Sequence, residues 1–312
     1  MQPSTATAAS RPLRVASIKA PKLLAMTAMC LTFDSIQRTA IKLRDNTLAR
    51  AQRAVIDVLK AGPVPRHVAF VMDGNRRYAR SQGMHVLRGH EDGFLALRRV
   101  LEICLLLGIR CVSVYAFSID NFKRSQEEVD GLMHLAEVRL LELCEHGGVL
   151  QEYGVRLNAL GKIDLFPPNV QAAVRRAEEL TKDNDKAILN LCMPYTATDE
   201  IKTAVESAVQ DALKASQTPA YVVHPDTHSP SGTKRSLITE KDIDDRLMTS
   251  RVGSPPLDIL IRTSGVKRLS DYLLWQCAED TQIQFINTYW PDVSLLDIVP
   301  IMLDYQRKVW CT

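Results

Sequence analysis

The sequence predicts an α/β fold: a central, mainly parallel, six-stranded sheet flanked by helices. One observation is a set of six short runs that are apolar almost throughout: His67 to Met72, Ile109 to Ser118, Val155 to Leu160, Ala187 to Met193, Leu257 to Arg262 and Ile283 to Asn287. A strand with one wet face alternates apolar and polar residues, whereas a near-continuous apolar run belongs to a strand covered on both faces. The second observation is that helical patterns separate these runs, which supplies the crossovers that parallel strands require. A third is size: 312 residues at 46% hydrophobic content allow one domain of about 250 residues plus an appendage.

The helices have readable ends. A helix over about Glu91 to Leu107 places Phe94, Leu97, Leu101, Cys104 and Leu105 on one side and stops at Gly108. Ser125 and Glu128 form a capping-box pattern ahead of Val129, Leu132, Met133, Ala136, Leu140 and Leu143. Another helix starts after Pro167 and Pro168, and Thr239 with Asp242 caps a short one. The stretch 216–236 is rich in Pro, Ser, Thr and His, lacks periodicity and reads as a surface insertion. There are no internal repeats.

Ahead of the sheet, residues 1–34 read as a disordered or targeting segment. The first 33 contain no Asp or Glu but carry Arg11, Arg14, Lys19 and Lys22, a composition shared by transit peptides and by disordered tails. Residues 35–62 read as an amphipathic helix with Ile41, Leu48, Val55 and Leu59 on one face, suited either to packing or to a membrane surface. The α/β domain then occupies 63–312.

Charge and cysteine usage exclude several classes. A net charge of +3 from 39 basic and 36 acidic side chains provides no footprint for nucleic acid. The seven cysteines form no CxxC pair and mostly lie in apolar runs, as reduced core residues do. The longest apolar candidate, Leu23 to Phe33, is eleven residues long and too short to cross a bilayer, so the chain is expected to be soluble or to lie on a membrane.

Ligands of open parallel sheets bind beyond the carboxyl ends of the strands. Two loops there carry unusual chemistry. In Met72-Asp73-Gly74-Asn75-Arg76-Arg77-Tyr78 a buried strand leads into a carboxylate able to bind a metal. The glycine after it permits close backbone approach, so that Gly74 and Asn75 can present N–H groups to phosphate while Arg77 supplies a charge-assisted contact. The alternative is an ordinary strand-to-helix turn with solvated arginines. In the second loop, Arg262, Arg268 and Ser270 surround a turn of small residues and make a polyanion cradle. Two cradles at one sheet edge suit two phosphorylated substrates, or one with a diphosphate at each end. The apolar helices alongside are either plain core or the wall of an oily channel.

The segment His67 to Tyr78 resembles the first signature of the cis-prenyltransferases, the undecaprenyl and dehydrodolichyl diphosphate synthases. The resemblance continues through Gly89-His90, Tyr115 to Ser118, Asn121-Phe122, Arg124, Asn190, Tyr195, Asp258 to Gly265, Arg268 to Ser270, Leu273 to Gln276 and Trp290-Pro291. It spans roughly residues 60 to 305 in order and spacing, and Arg76, Tyr78 and Thr263-Ser264-Gly265 favour the eukaryotic dehydrodolichyl branch. It implies an undecaprenyl diphosphate synthase-like fold with an apolar product tunnel. It also implies condensation of farnesyl diphosphate with successive isopentenyl diphosphates, and Mg²⁺ as cofactor. The resemblance assigns Asp73, His90 and Asn121 to catalysis, with Asp73 also the metal ligand. Substrate binding falls to Gly74, Asn75, Arg76, Arg77, Ser118, Phe122, Arg124, Arg262, Arg268 and Ser270. No DDxxD pair of the trans-type synthases is present.

Departures from the bacterial pattern shape the expected assembly. Val266 stands where an acidic residue is usual, Thr281 where a metal-binding glutamate is, Thr198 where an arginine is, and Val86 where a base is, with Arg88 as its candidate substitute. The chain ends Gln306 to Thr312 without an Arg-x-Gly tail. In the eukaryotic branch that tail belongs to a noncatalytic partner subunit, so the resemblance implies the catalytic half of a heteromer. The location it implies is the cytoplasmic face of the endoplasmic reticulum membrane, or another organelle if residues 1–33 are a transit peptide. The competing expectations are a binding subunit that has lost catalysis, against which both cradles argue, and a phosphatase, for which no nucleophile is positioned.

Overall fold

The computed structural model describes residues 47, 49–145, 148–217 and 238–311. Two units divide at Val55. In the first, residues 47 and 49–55 are helical.

The second unit, Ile56–Thr312, opens with the helical residues 56–60 (α1). Then follow β1 (His67–Val71), α2 (Asn75–Ser81), α3 (Val86–Leu107), β2 (Cys111–Tyr115), α4 (Gln126–Cys144), α5 (Val149–Glu152) and β3 (Val155–Leu160). The second half holds α6 (Pro168–Thr181), β4 (Ala187–Cys192), α7 (Ala197–Gln217), α8 (Glu240–Asp244), α9 (Met248–Arg251), β5 (Ile259–Arg262), β6 (Gln282–Phe285) and α10 (Leu295–Cys311). The six strands are parallel throughout, in the order β3-β4-β2-β1-β5-β6.

Both faces of the sheet are covered, as the apolar runs require. Successive side chains of a strand point to opposite faces, and in β1 Val68 and Phe70 join one apolar cluster while Ala69 and Val71 join another. The first cluster packs α3, α4, α6 and α10 against the sheet, and the second packs Tyr195, Tyr272 and Leu273 on its far side. The two edge strands are less covered: β3 alternates buried with part-buried residues over Val155 to Asn158, and β6 alternates with Ile283 and Phe285 exposed.

Three boundaries differ from the sequence reading. Helix α3 begins at Val86, five residues before Glu91, capped by His85. Its first turns contain Gly89 and Gly93, which hide the helical pattern yet allow close packing: a Cβ at Gly89 would lie 2.4 Å from the Asn75 carbonyl oxygen. The capping box at α4 is only half formed. Ser125 Oγ accepts from the Glu128 amide at 3.4 Å, but the Glu128 carboxylate accepts instead from Arg124 at 2.8 Å. Finally, Ile56 and Leu59 are core residues and Gln306 Nε2 donates to the Leu59 carbonyl at 2.6 Å. Val55 is exposed, so Val55 and Leu59 do not share a buried face. Ile41, Leu48, residues 1–34 and the insertion from 218 to 236 lie outside the described residues.

Candidate active site

The carboxyl ends of β1, β2 and β5 converge. The turn after β1 is stitched to β5 by Thr263, whose Oγ1 accepts from the Asp73 amide at 2.9 Å and donates to the Asp73 carbonyl at 2.6 Å. The Asp73 carboxylate then meets two arginines. Arg262 Nη2 donates to its Oδ2 at 2.7 Å and Arg77 Nη2 to its Oδ1 at 3.3 Å. Burial pushes the Asp73 pKa up, but the Arg262 hydrogen bond and charge, followed by Ser264 and then the Arg77 charge, outweigh it and hold the group below its ordinary value of 3.8.

Arg262 is a strut between the two loops. Its side chain is 4% exposed, and its Nη1 donates to the Arg268 carbonyl and to Ser270 Oγ, both at 2.7 Å. Arg268 spends only Nε, on Ser270 Oγ at 3.2 Å. Arg77 is held by Ser264 and lies over the Tyr289 ring, 5.6 Å from its centroid. Gly74 needs its identity: φ is +112°, and a Cβ would lie 2.8 Å from Tyr289 Cδ1.

Two cavities share the Asp73 turn. The smaller, about 380 Å³, is lined by Gly74, Arg77, Arg80 and Val266 together with residues common to both. Five arginines (76, 77, 80, 124 and 268) face it against the single carboxylate of Asp73. The larger, about 720 Å³, continues past Ser118, Asn121 and His90 into walls made by Phe94, Leu97, Phe117, Leu132, Met133, Leu140, Leu143, Phe166 and Trp290. A polyanion fits the first, and a flexible hydrocarbon fits the second.

Where they meet, His90 is 11% exposed and its Nε2 lies 3.6 Å from Glu128 Oε1 without a hydrogen bond. Burial, then the Arg124 charge, lowers its pKa to about 4 against the pull of Glu128, so the imidazole is neutral. Glu128 also accepts from Arg124 and lies 3.8 Å from Arg76. Asn121 Oδ1 accepts from the Ser118 amide at 3.0 Å, fixing its side chain at the cavity wall.

Most residues singled out in the sequence therefore gather here, with two exceptions. Phe122 lines neither cavity; its ring packs edge-on against Phe117, with centroids 4.9 Å apart. Arg88 pairs with Glu91 and Asp92 outside both cavities and does not take the place of a base at Val86. Sequence reasoning missed Arg80, legible only as one helical turn beyond Arg76 and Arg77. It also missed the role of Glu128, whose signal had been read as a cap.

For metal binding, the described residues hold no cluster of three His, Cys, Asp or Glu. Asp73 is the one carboxylate that lines the smaller cavity among the described residues. Magnesium commonly takes one or two carboxylates and completes its shell with water and substrate phosphates, so this donor set fits Mg²⁺ only together with a diphosphate.

An arginine-lined bowl opening into an apolar cavity at the strand ends suits a diphosphate that carries a hydrocarbon tail. Residues 71–310 match the family described as "Putative undecaprenyl diphosphate synthase". A dehydrodolichyl diphosphate synthase complex subunit of Schizosaccharomyces pombe is 43% identical over 84% of this chain and 92% of its own length. The human complex subunit of the same description is 40% identical over 85% and 74%. Among solved structures, lavandulyl diphosphate synthase from Lavandula x intermedia, in complex with dimethylallyl diphosphate, superposes with a TM-score of 0.65 at 28% identity, covering 78% of this chain and 95% of that one. A "probable undecaprenyl diphosphate synthase" from Campylobacter jejuni gives 0.58 at 26% identity, with the same coverage. The chain belongs to the cis-prenyltransferase family, the undecaprenyl diphosphate synthases and their relatives.

Proposed function

We propose that this chain is the catalytic subunit of a dehydrodolichyl diphosphate synthase, elongating farnesyl diphosphate with successive isopentenyl diphosphates for dolichol synthesis and protein glycosylation. The observation that carries this reading is the five-arginine bowl sharing Asp73 with the apolar cavity. Farnesyl diphosphate lies with its diphosphate at Asp73 to Arg77 and its chain among Leu97, Leu132 and Leu140. Isopentenyl diphosphate takes the free end of Arg268 with Ser270, and Arg262 holds that loop in place. The allylic C–O bond breaks and its electron pair leaves with the diphosphate. The double bond of isopentenyl diphosphate supplies the electrons of the new C–C bond, and loss of a proton leaves a Z double bond. Arg76, Arg77 and Arg124 stabilise the charge on the departing diphosphate. Neutral His90 keeps hydrogen-bonding capacity at the reacting end without adding charge, and Asn121 lies on the side where the proton leaves. Asp73 would hold Mg²⁺ together with the bound diphosphate, and the metal would supply further neutralisation of the leaving group.

The active enzyme is a heteromer in which a noncatalytic subunit brings an Arg-x-Gly tail to the diphosphates. Relatives described as complex subunits support this. So does the exposed apolar surface at Val205 and Val209 of α7, where neighbouring Ala204 and Ala208 are buried against Trp275. The complex works on the cytoplasmic face of the endoplasmic reticulum membrane, where a water-insoluble product is released. Since Ile56 and Leu59 are core, the membrane contact is assigned to the segment ahead of them, and no described helix is long and apolar enough to cross a bilayer. Incubation with farnesyl diphosphate and labelled isopentenyl diphosphate tests the assembly. The isolated chain should be weakly active, and a coexpressed Arg-x-Gly subunit should restore turnover. Equal rates with and without it would exclude the heteromer. Removing residues 1–46 should release the complex from membranes, and unchanged flotation would exclude anchoring there.

A further inference from the structure

The loop that carries Arg268 and Ser270 has an unusual backbone. Ser270, Asp271 and Leu273 have φ of +54°, +57° and +46°, the left-handed region in which a side chain crowds its own backbone. Such a run persists where neighbouring groups fix it. Tyr272 and Leu273 are fixed by burial in the second apolar cluster, where Tyr272 stacks on Tyr115 with ring centroids 4.5 Å apart. Ser270 Oγ accepts from Arg262 at 2.7 Å and from Arg268 at 3.2 Å.

Asp271, between them, is fixed by a different element: it reaches the start of helix α7 from 73 residues away. Its carbonyl accepts from the Ala197 amide at 2.8 Å, and its Oδ1 accepts from both the amide and the hydroxyl of Thr198, each at 2.9 Å. Ala197 and Thr198 open α7, and amides of a first turn have no acceptor within their own helix. The local cap, Thr196 Oγ1, accepts from the Asp199 amide at 3.4 Å and leaves these two amides to Asp271. A carboxylate is favoured there because it meets the positive end of a 21-residue helix. Arg268, Ser270 and Asp271 together line the large cavity beside Asp73. Resting on the proposed chain elongation, we propose that Asp271 is a positioning residue whose clamp on Thr198 sets where Ser270 and Arg268 meet isopentenyl diphosphate. It acts through those two side chains and leaves the site for farnesyl diphosphate alone.

The test measures KM for each substrate, and kcat, on the full-length chain with its partner subunit. Asp271→Gly removes the clamp while accommodating the positive φ, so the loop is released without added strain. It should raise KM for isopentenyl diphosphate about three- to tenfold, the loss of two partly exposed hydrogen bonds, with KM for farnesyl diphosphate unchanged. Asp271→Asn keeps the acceptor and also tolerates the left-handed backbone, so it should restore KM to within about twofold of wild type. Adding Thr198→Ala to Asp271→Gly should raise KM no further, because the two side chains act as one unit. A wild-type KM for isopentenyl diphosphate in Asp271→Gly, a parallel rise for both substrates, an Asp271→Asn as impaired as Asp271→Gly, or additive effects in the double variant would each overturn the clamp. Should Asp271→Gly fail to fold, Thr198→Ala decides alone: a selective rise of about twofold supports the clamp, and no rise refutes it. A wild-type complex that incorporates no isopentenyl units would overturn the proposed function itself, and the clamp with it.

Discussion

Replacing Asp73 separates chemistry from stability, because the carboxylate proposed to act in catalysis also pairs with the buried Arg262. In Asp73→Ala the buried Arg262 loses its 2.7 Å partner, and removing one member of a buried ion pair costs about 3–5 kcal/mol. The lower end applies, since the Asp73 side chain is still 27% exposed. A loss of about 3 kcal/mol would lower Tm by roughly 6–12 °C for a domain of this size. Asp73→Asn keeps an acceptor for Arg262 and should retain most of that stability. Both variants lose the charge proposed to bind the metal, so each should lower kcat by about a hundredfold or more, as deletion of other electrostatic groups does. Steady-state kinetics at saturating Mg²⁺ beside thermal melts measure the two effects. Asp73→Asn with near wild-type kcat would refute the assignment, whatever happened to Tm.

Two further outcomes follow from the same geometry. Arg268→Ala should raise KM for isopentenyl diphosphate about ten- to a hundredfold while shifting KM for farnesyl diphosphate far less, the loss of one charge-assisted bond of roughly 1.5–3 kcal/mol; equal shifts would mean that the bowl is wrongly partitioned. His90 titrates near 4 in the folded chain against 6.5 when unfolded, and His67, buried between Pro255 and Ser113, behaves alike. Between those values the unfolded chain binds protons that the folded chain refuses, so stability is full above pH 6.5 and falls towards pH 4. His90→Gln should flatten that fall by up to about 3 kcal/mol, and an unchanged pH profile of denaturant midpoints would show that His90 titrates in the fold as it does in the unfolded chain.

The sheet was legible in the sequence because each interior strand is buried on both faces, so its run is apolar almost throughout; the mid-strand polar residues Ser113 of β2 and Asn190 of β4 are themselves buried and hydrogen-bonded to each other. All six runs became strands, with ends shifted by a few residues. Helix α3 was read short because Gly89 and Gly93 weaken the local pattern, and their purpose, the close approach to Asn75, is tertiary. Asp73, Arg77, Arg262, Arg268 and Ser270 were legible through their place after buried strands. Sequence gave no hint that Arg262 is spent inward on Asp73 or that Glu128 faces His90.

The geometry of the newly formed double bond tests the central claim most directly. Products made from farnesyl diphosphate and isotopically labelled isopentenyl diphosphate by the complete complex, dephosphorylated and examined by carbon NMR, report that geometry at every added unit. The account predicts Z double bonds in all added units, attached to an unchanged E,E farnesyl end. Added units with E geometry, or transfer of the allylic group to any acceptor other than isopentenyl diphosphate, would contradict it.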